Sequence, residues 1–157
     1  MPVSKRINTL IAVLSLTFGL TAMSAQASDS VSAETKIRDV ESRQHAFSQI
    51  AKQQKQIDRA LGKSSPDWQQ LEILSADLLA NSASLQYLFV PGSQSGSKAK
   101  SKVWDNNIKF KGALAKMDNS FVSMDTAIQQ QDKGMAKNAL KQANSTCRNC
   151  HRQYRSR

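Results

Sequence analysis

The sequence predicts an all-α fold, an antiparallel four-helix bundle with a long loop between helices two and three. Two observations carry that prediction. Apolar side chains recur at steps of three and four in four separate blocks. Composition agrees: aromatics make up 6% and prolines number three, while Ala, Gln, Lys, Ser and Leu are abundant, a mixture that suits helices better than sheets. At 157 residues the chain can bury one core and is short for two.

The first residues stand outside the bundle. Lys5 and Arg6 open a positive start, "INTLIAVLSLTFGLTAM" supplies an apolar run, and "AQA" at Ala25 to Ala27 offers small residues where a signal peptidase reads. A spanning helix needs roughly 20 apolar residues, and this run is shorter and interrupted by Asn8, Thr9 and Thr21. The expectation is a cleaved signal peptide over residues 1–27, a mature domain over residues 28–157 with no membrane anchor, and a periplasmic location. Loss of Lys5 and Arg6 leaves 20 basic residues against 12 acidic ones, a net charge of +8 in place of +10. Export argues against nucleic acid as the partner. So does the pattern, because no aromatic residues alternate with the basic ones as a base-stacking surface requires. An acidic partner protein, or solubility alone, remains.

In the first helix Ile37, Val40, Phe47, Ile50, Ile57 and Leu61 keep a heptad-like rhythm, closed by Gly62. The second is predicted to open at Ser65, an N-cap, with Pro66 at the first helical position, and carries Leu71, Leu74, Leu78, Leu85 and Leu88. The stretch "VPGSQSGSKAKSK", Val90 to Lys102, has no periodicity and reads as a flexible, solvated crossover. It exceeds the roughly 2 to 8 residues usual in bundles. The third helix starts near Trp104 and runs through Phe110, Leu114, Met117, Phe121, Met124 and Ile128. Asp132, Lys133 and Gly134 break it, and a fourth carries Leu140, Ala143, Cys147, Cys150, His151 and Tyr154. That last stripe supplies little side-chain volume for a core of normal density.

The same stripe holds the chemistry. Cys147 and Cys150 are the chain's two cysteines, and His151, one of two histidines, follows at once. A redox dithiol of this spacing normally sits in a βαβ setting, which is absent. A disulfide here closes a very short loop and stabilises little. Tetrahedral zinc needs four ligands, and only the remote His45 is left to complete a set. Covalent haem c attachment uses every element: each thiol adds to a vinyl group, and the adjacent imidazole becomes an axial iron ligand. One haem also accounts for the volume the fourth stripe lacks.

With "SRQHAFSQIAK", "LFVPGS", "VWDNNIKFK" and the terminal "CRNCHRQYR", the mature chain resembles the class II c-type cytochromes and, within them, the cytochromes c′. The resemblance implies that Cys147 and Cys150 hold the porphyrin and His151 ligates iron. It implies that Arg155 lies beside the proximal face, that Arg43 and Gln44 contact the haem edge and a propionate, and that Met117 lines the haem. Trp104 and Phe110 match an aromatic pair, for which packing is the expected role. Phe47 matches the position that faces iron on the distal side. Methionine there gives six-coordinate iron, and an apolar residue leaves it five-coordinate. Phenylalanine has no atom with which to coordinate. His45, two positions away and roughly 200° around the helix, is expected on the surface.

The expected activity is binding of NO and CO, electron transfer with a redox partner protein, or both. An enzyme is not expected, since peroxidase chemistry needs a distal acid or base that Phe47 does not supply. The alternative is a pure electron carrier with a sixth ligand from Met117 or Met124. The resemblance also implies a homodimer through helices one and two, which no residue pattern here requires.

Overall fold

The structure, a computed structural model, describes the backbone of residues 24–157 and the side chains of residues 39–157. Most of the expected leader lies outside the described residues. Four long helices form the bundle: α1 (Ser24–Gly62), α2 (Trp68–Ser84), α4 (Asn107–Gln129) and α5 (Lys133–Tyr154), with a one-turn α3 (Lys102–Asp105) ahead of α4. Among the described residues no helix is long and apolar enough to cross a membrane.

The stripes read from sequence form the core. Ile50, Ile57 and Leu61 of α1 meet Leu71 and Leu78 of α2, and Leu114, Phe121, Met124 and Ile128 of α4 close over them, each at most 3% exposed. The helix starts are set by acidic caps. The Asp67 carboxylate accepts from the Gln70 N–H at 3.0 Å, and Asp132 accepts from Met135 N–H at 2.8 Å. The first of these corrects the predicted start at Ser65 and Pro66: Asp67, just beyond the proline, caps the helix. Gln131, in the left-handed region at φ 55°, makes the turn between α4 and α5.

Helices α1 and α2, α2 and α4, and α4 and α5 pack along their lengths, whereas α1 and α5 touch only sparsely. The reason is volume. Three of the four residues that α5 buries between Ala136 and Ala143 are alanines, with Leu140 the one large side chain, and alanines cannot reach across to α1.

The crossover departs from the flexible segment predicted. "VPGS" and "QSGS" fold as successive β-turns, Ser93 N–H donating to Val90 O and Ser97 N–H to Gln94 O, both at 3.1 Å. Gly92 at φ 84° and Gly96 at φ 75° sit at the third turn position, where a type II turn demands a left-handed residue. The loop then pairs with the chain's last residues. Lys100 N–H donates to Tyr154 O at 2.9 Å and Ser156 N–H to Lys98 O at 2.8 Å, with Ala99 and Arg155 facing each other as an antiparallel bridge. This strap closes one end of the gap between α1 and α5.

Candidate functional site

The gap left by α1 and α5 is a cavity of about 630 Å³, within the ~300–1,000 Å³ typical of small-molecule sites. α1 contributes Arg43, Gln44 and Phe47; α5 and its end contribute Cys150, His151, Tyr154 and Arg155; Gly96 to Ala99 of the crossover form the rim. Phe89, Val103 and Phe110 make the remaining wall apolar. Successive ring contacts join these parts: Phe47 to Phe89 at 6.3 Å, Phe89 to Phe110 at 4.6 Å, and Phe110 to Tyr154 at 5.1 Å, all edge-to-face.

Arg43 is 3% exposed, on the apolar stripe where a charge requires partners. Its guanidinium donates to Leu88 O at 3.3 Å, Ser93 Oγ at 2.8 Å and Ser93 O at 2.5 Å. It also lies 5.0 Å from the Phe89 ring centre and 5.7 Å from that of Trp104. Burial pushes its pKa down, with Asp39 opposing the shift. Arg43 thus lines the cavity while its hydrogen bonds fasten the crossover. Gln44 sits at the exposed rim, its amide donating to Gly96 O at 3.5 Å.

On α5 the thiols are free and half-buried. Burial raises the Cys147 pKa, and burial together with the charge of Cys147 pushes Cys150 up to about 11. His151 moves the other way. Partial desolvation of its ring and the neighbouring Arg155 cation lower its pKa, which favours the neutral imidazole with a lone pair to give a metal. Cys147 does not border the cavity. It packs half-buried against the core one turn back, beside the Gln54 amide.

Seven of the eight expected site residues therefore gather at one end of the bundle. The eighth, Met117, does not join them: it is 5% exposed within the core and is absent from the cavity wall. Phe110 borders the cavity, and Met117 lies seven residues, about 10 Å, farther along α4. Met124 is farther still, about 20 Å. His45 is exposed, outside the cavity. The rim residues Gly96 to Ala99, and Phe89, Val103 and Tyr154 in the wall, were not among the expected site residues. Tyr154 carries a signal, since it stands three residues from His151 on a helix. Phe89 adjoins the Pro-Gly turn. The rim carries none, because only the strap brings it to the cavity.

Fold and site define a class: a four-helix bundle whose open seam faces a C-terminal C-x-x-C-H segment. A family model described as Cytochrome C′ matches residues 38–155, and the chain belongs to that family. Among solved structures, the cytochrome c′ of Rubrivivax gelatinosus is 26% identical, with 75% of this chain and 94% of that chain covered at a TM-score of 0.70. A nitric oxide complex of a variant cytochrome c′ from Alcaligenes xylosoxidans is 23% identical, covering 78% and 97% at 0.73. A ferrous variant of that cytochrome with bound NO is 22% identical, covering 78% and 96% at 0.72. These last two show likeness of fold. No curated protein sequence matches the chain.

The family implies a haem c cofactor, and the residues present fit one. Cys150 and His151 border the seam with Cys147 one helical turn back, apolar walls suit a flat macrocycle, and cations stand at the rim for its acidic edge.

Proposed function

We propose that the chain is a periplasmic haem c protein in which Cys147 and Cys150 hold the macrocycle and His151 is the protein's single iron ligand. Its open coordination position, bordered by Phe47, takes NO or CO, and the cofactor serves NO sequestration, electron transfer, or both. The observation that carries this reading is the α1 wall of the cavity: Arg43, Gln44, Phe47 and Ser48 line it, none of them a histidine, cysteine or methionine, and among the described residues no methionine borders the cavity. The burial of Met117 and Met124 in the core, off the cavity wall, favours this reading over a methionine-ligated carrier.

Bound haem supplies an iron centre that accepts a diatomic ligand and cycles between two oxidation states. The chain's own residues set the conditions. Partial desolvation and the Arg155 cation lower the His151 pKa, which favours the unprotonated ring nitrogen that a metal requires. Phe47, Phe110, Val103 and Tyr154 keep the seam apolar, which favours neutral diatomics over ligands that need a hydrogen-bond donor. Lacking an acid or base on the α1 wall beside Phe47, the site suits binding rather than peroxidase-type turnover. The solved NO complexes of the Alcaligenes cytochrome support the choice of gas. The apolar leader and the covalent-attachment segment support export.

The test is the visible spectrum of the reduced protein before and after CO. A high-spin spectrum that changes on CO addition is expected. A low-spin ferrous spectrum indifferent to CO contradicts the reading.

A further inference from the structure

The chain's positive charge is unevenly placed. Lys98, Lys100 and Lys102 lie in the crossover and at the start of α3, and Arg148, Arg152, Arg155 and Arg157 lie in the last turns of α5 and beyond it. Segments 98–102 and 144–157 contain no Asp or Glu. From residue 28 onward, the rest of the chain holds 13 basic and 12 acidic residues, so nearly all of the +8 belongs to these two segments.

The fold sets them side by side. The Lys100–Tyr154 and Ser156–Lys98 backbone bonds and the Ala99–Arg155 bridge align them in opposite directions across the cavity rim. Lys98 and Arg155 border the cavity itself. All seven cations but the half-buried Lys100 are exposed. The bonds recorded for the side chains of Lys100 and Arg152 go to neutral oxygens, Arg152 O and Asn149 Oδ1. Solubility needs only dispersed charge, whereas concentrating it adds repulsion within about one Debye length, ~8 Å. A concentrated field at the mouth of a cofactor cavity is what steers an oppositely charged partner.

We propose that this strap-centred patch is the docking surface for an acidic one-electron carrier protein, which exchanges an electron with the cofactor through the cavity mouth. The inference rests on the haem reading above. A single electron passes between the partner and the iron centre, and no covalent bond forms or breaks. An anionic membrane is the less suitable occupant. Within the two segments Tyr154 is buried, and among the described residues the exposed large apolar side chains, Ile73, Tyr87, Ile108, Val122 and Met135, all lie outside them, so the patch has no anchor to insert.

The experiment uses the full haem-loaded protein and, as probe, a small acidic flavodoxin reduced to its hydroquinone, with the second-order rate of ferric-protein reduction followed against salt. Lys102→Glu with Arg152→Glu reverses charge in the patch. Lys63→Glu with Lys137→Glu makes the same net change at the far end of the bundle, and Lys102→Gln with Arg152→Gln gives a milder patch variant. At low salt the patch reversal should slow reduction by about tenfold or more, the neutral pair by less, and the remote pair by less than about twofold. The wild-type rate should fall as salt rises. Equal slowing by patch and remote pairs, or none by either, overturns the proposal while the CO-sensitive spectrum stands. A chain that carries no haem overturns the haem reading and the proposal together. Patch-dependent co-sedimentation with phosphatidylglycerol vesicles, with the flavodoxin rate unchanged, would assign the surface to a membrane and also overturn it.

Discussion

The seam between α2 and α4 and the seam between α1 and α5 are built from opposite materials. The first is closed by Leu71, Leu78, Leu114, Phe121 and Met124, all 2% exposed or less. The second receives alanines, two half-buried thiols and an exposed imidazole from α5, and it stays open around about 630 Å³. The difference separates two tasks: one seam holds the helices together, and the other is left unfilled so that a prosthetic group can complete it. Substitutions should sort along the same line, with stability lost at the closed seam and cofactor chemistry lost at the open one.

The largest effect is expected at the open seam. Replacing Cys147 and Cys150 with serine should abolish covalent haem, read as the loss of haem stain on a denaturing gel, while circular dichroism still reports a helical chain. Retained stain would break the comparison. At the closed seam, Phe121→Ala should cost about 3–5 kcal/mol in denaturant unfolding, because a fully buried ring leaves a cavity that its neighbours cannot fill. Phe47→Ala, at a half-buried position beside space already empty, should cost clearly less in the same measurement.

Two smaller effects concern the strap that closes the open seam. Arg43→Leu should cost about 1–3 kcal/mol, since Leu88 O, Ser93 Oγ and Ser93 O lose their shared donor. Amide hydrogen exchange should speed up over residues 88–99, and Arg43→Lys should restore only part of the protection because it lacks the planar fork. An unchanged exchange pattern would show that the loop holds without Arg43. Smallest, Gly92→Ala should cost about 1 kcal/mol from its left-handed backbone, seen as a lower unfolding midpoint.

What the sequence reveals and conceals follows the range of the forces involved. The stripes of α1, α2, α4 and α5 are legible because a helical period repeats locally, and Cys147, Cys150 and His151 are legible because their chemistry needs fixed spacing. Arg43 is legible as an anomaly, a charge on an apolar stripe, but its partners Leu88 and Ser93 are 45 and 50 residues away. The crossover reads as disorder because its Gly and Ser residues look alike whether solvated or turned. Its order comes from two type II-like turns and from pairing with the chain's end, which no periodicity encodes. Met117 shows a complementary limit. A stripe gives the face on which a side chain lies but not its height along the bundle, and height decides which stripe residues border the cavity.

Phe47 is the decisive position, a side chain without a donor atom bordering the open seam. The measurement is the ferrous absorption spectrum with and without CO, taken on the wild type and on Phe47→Met side by side. A high-spin, CO-responsive wild type is expected, and a variant shifted to low spin with CO binding weakened by about tenfold or more, as a sixth ligand competes for iron. A wild type already low-spin and unresponsive, or a variant indistinguishable from it, would contradict the placement of Phe47 beside the iron.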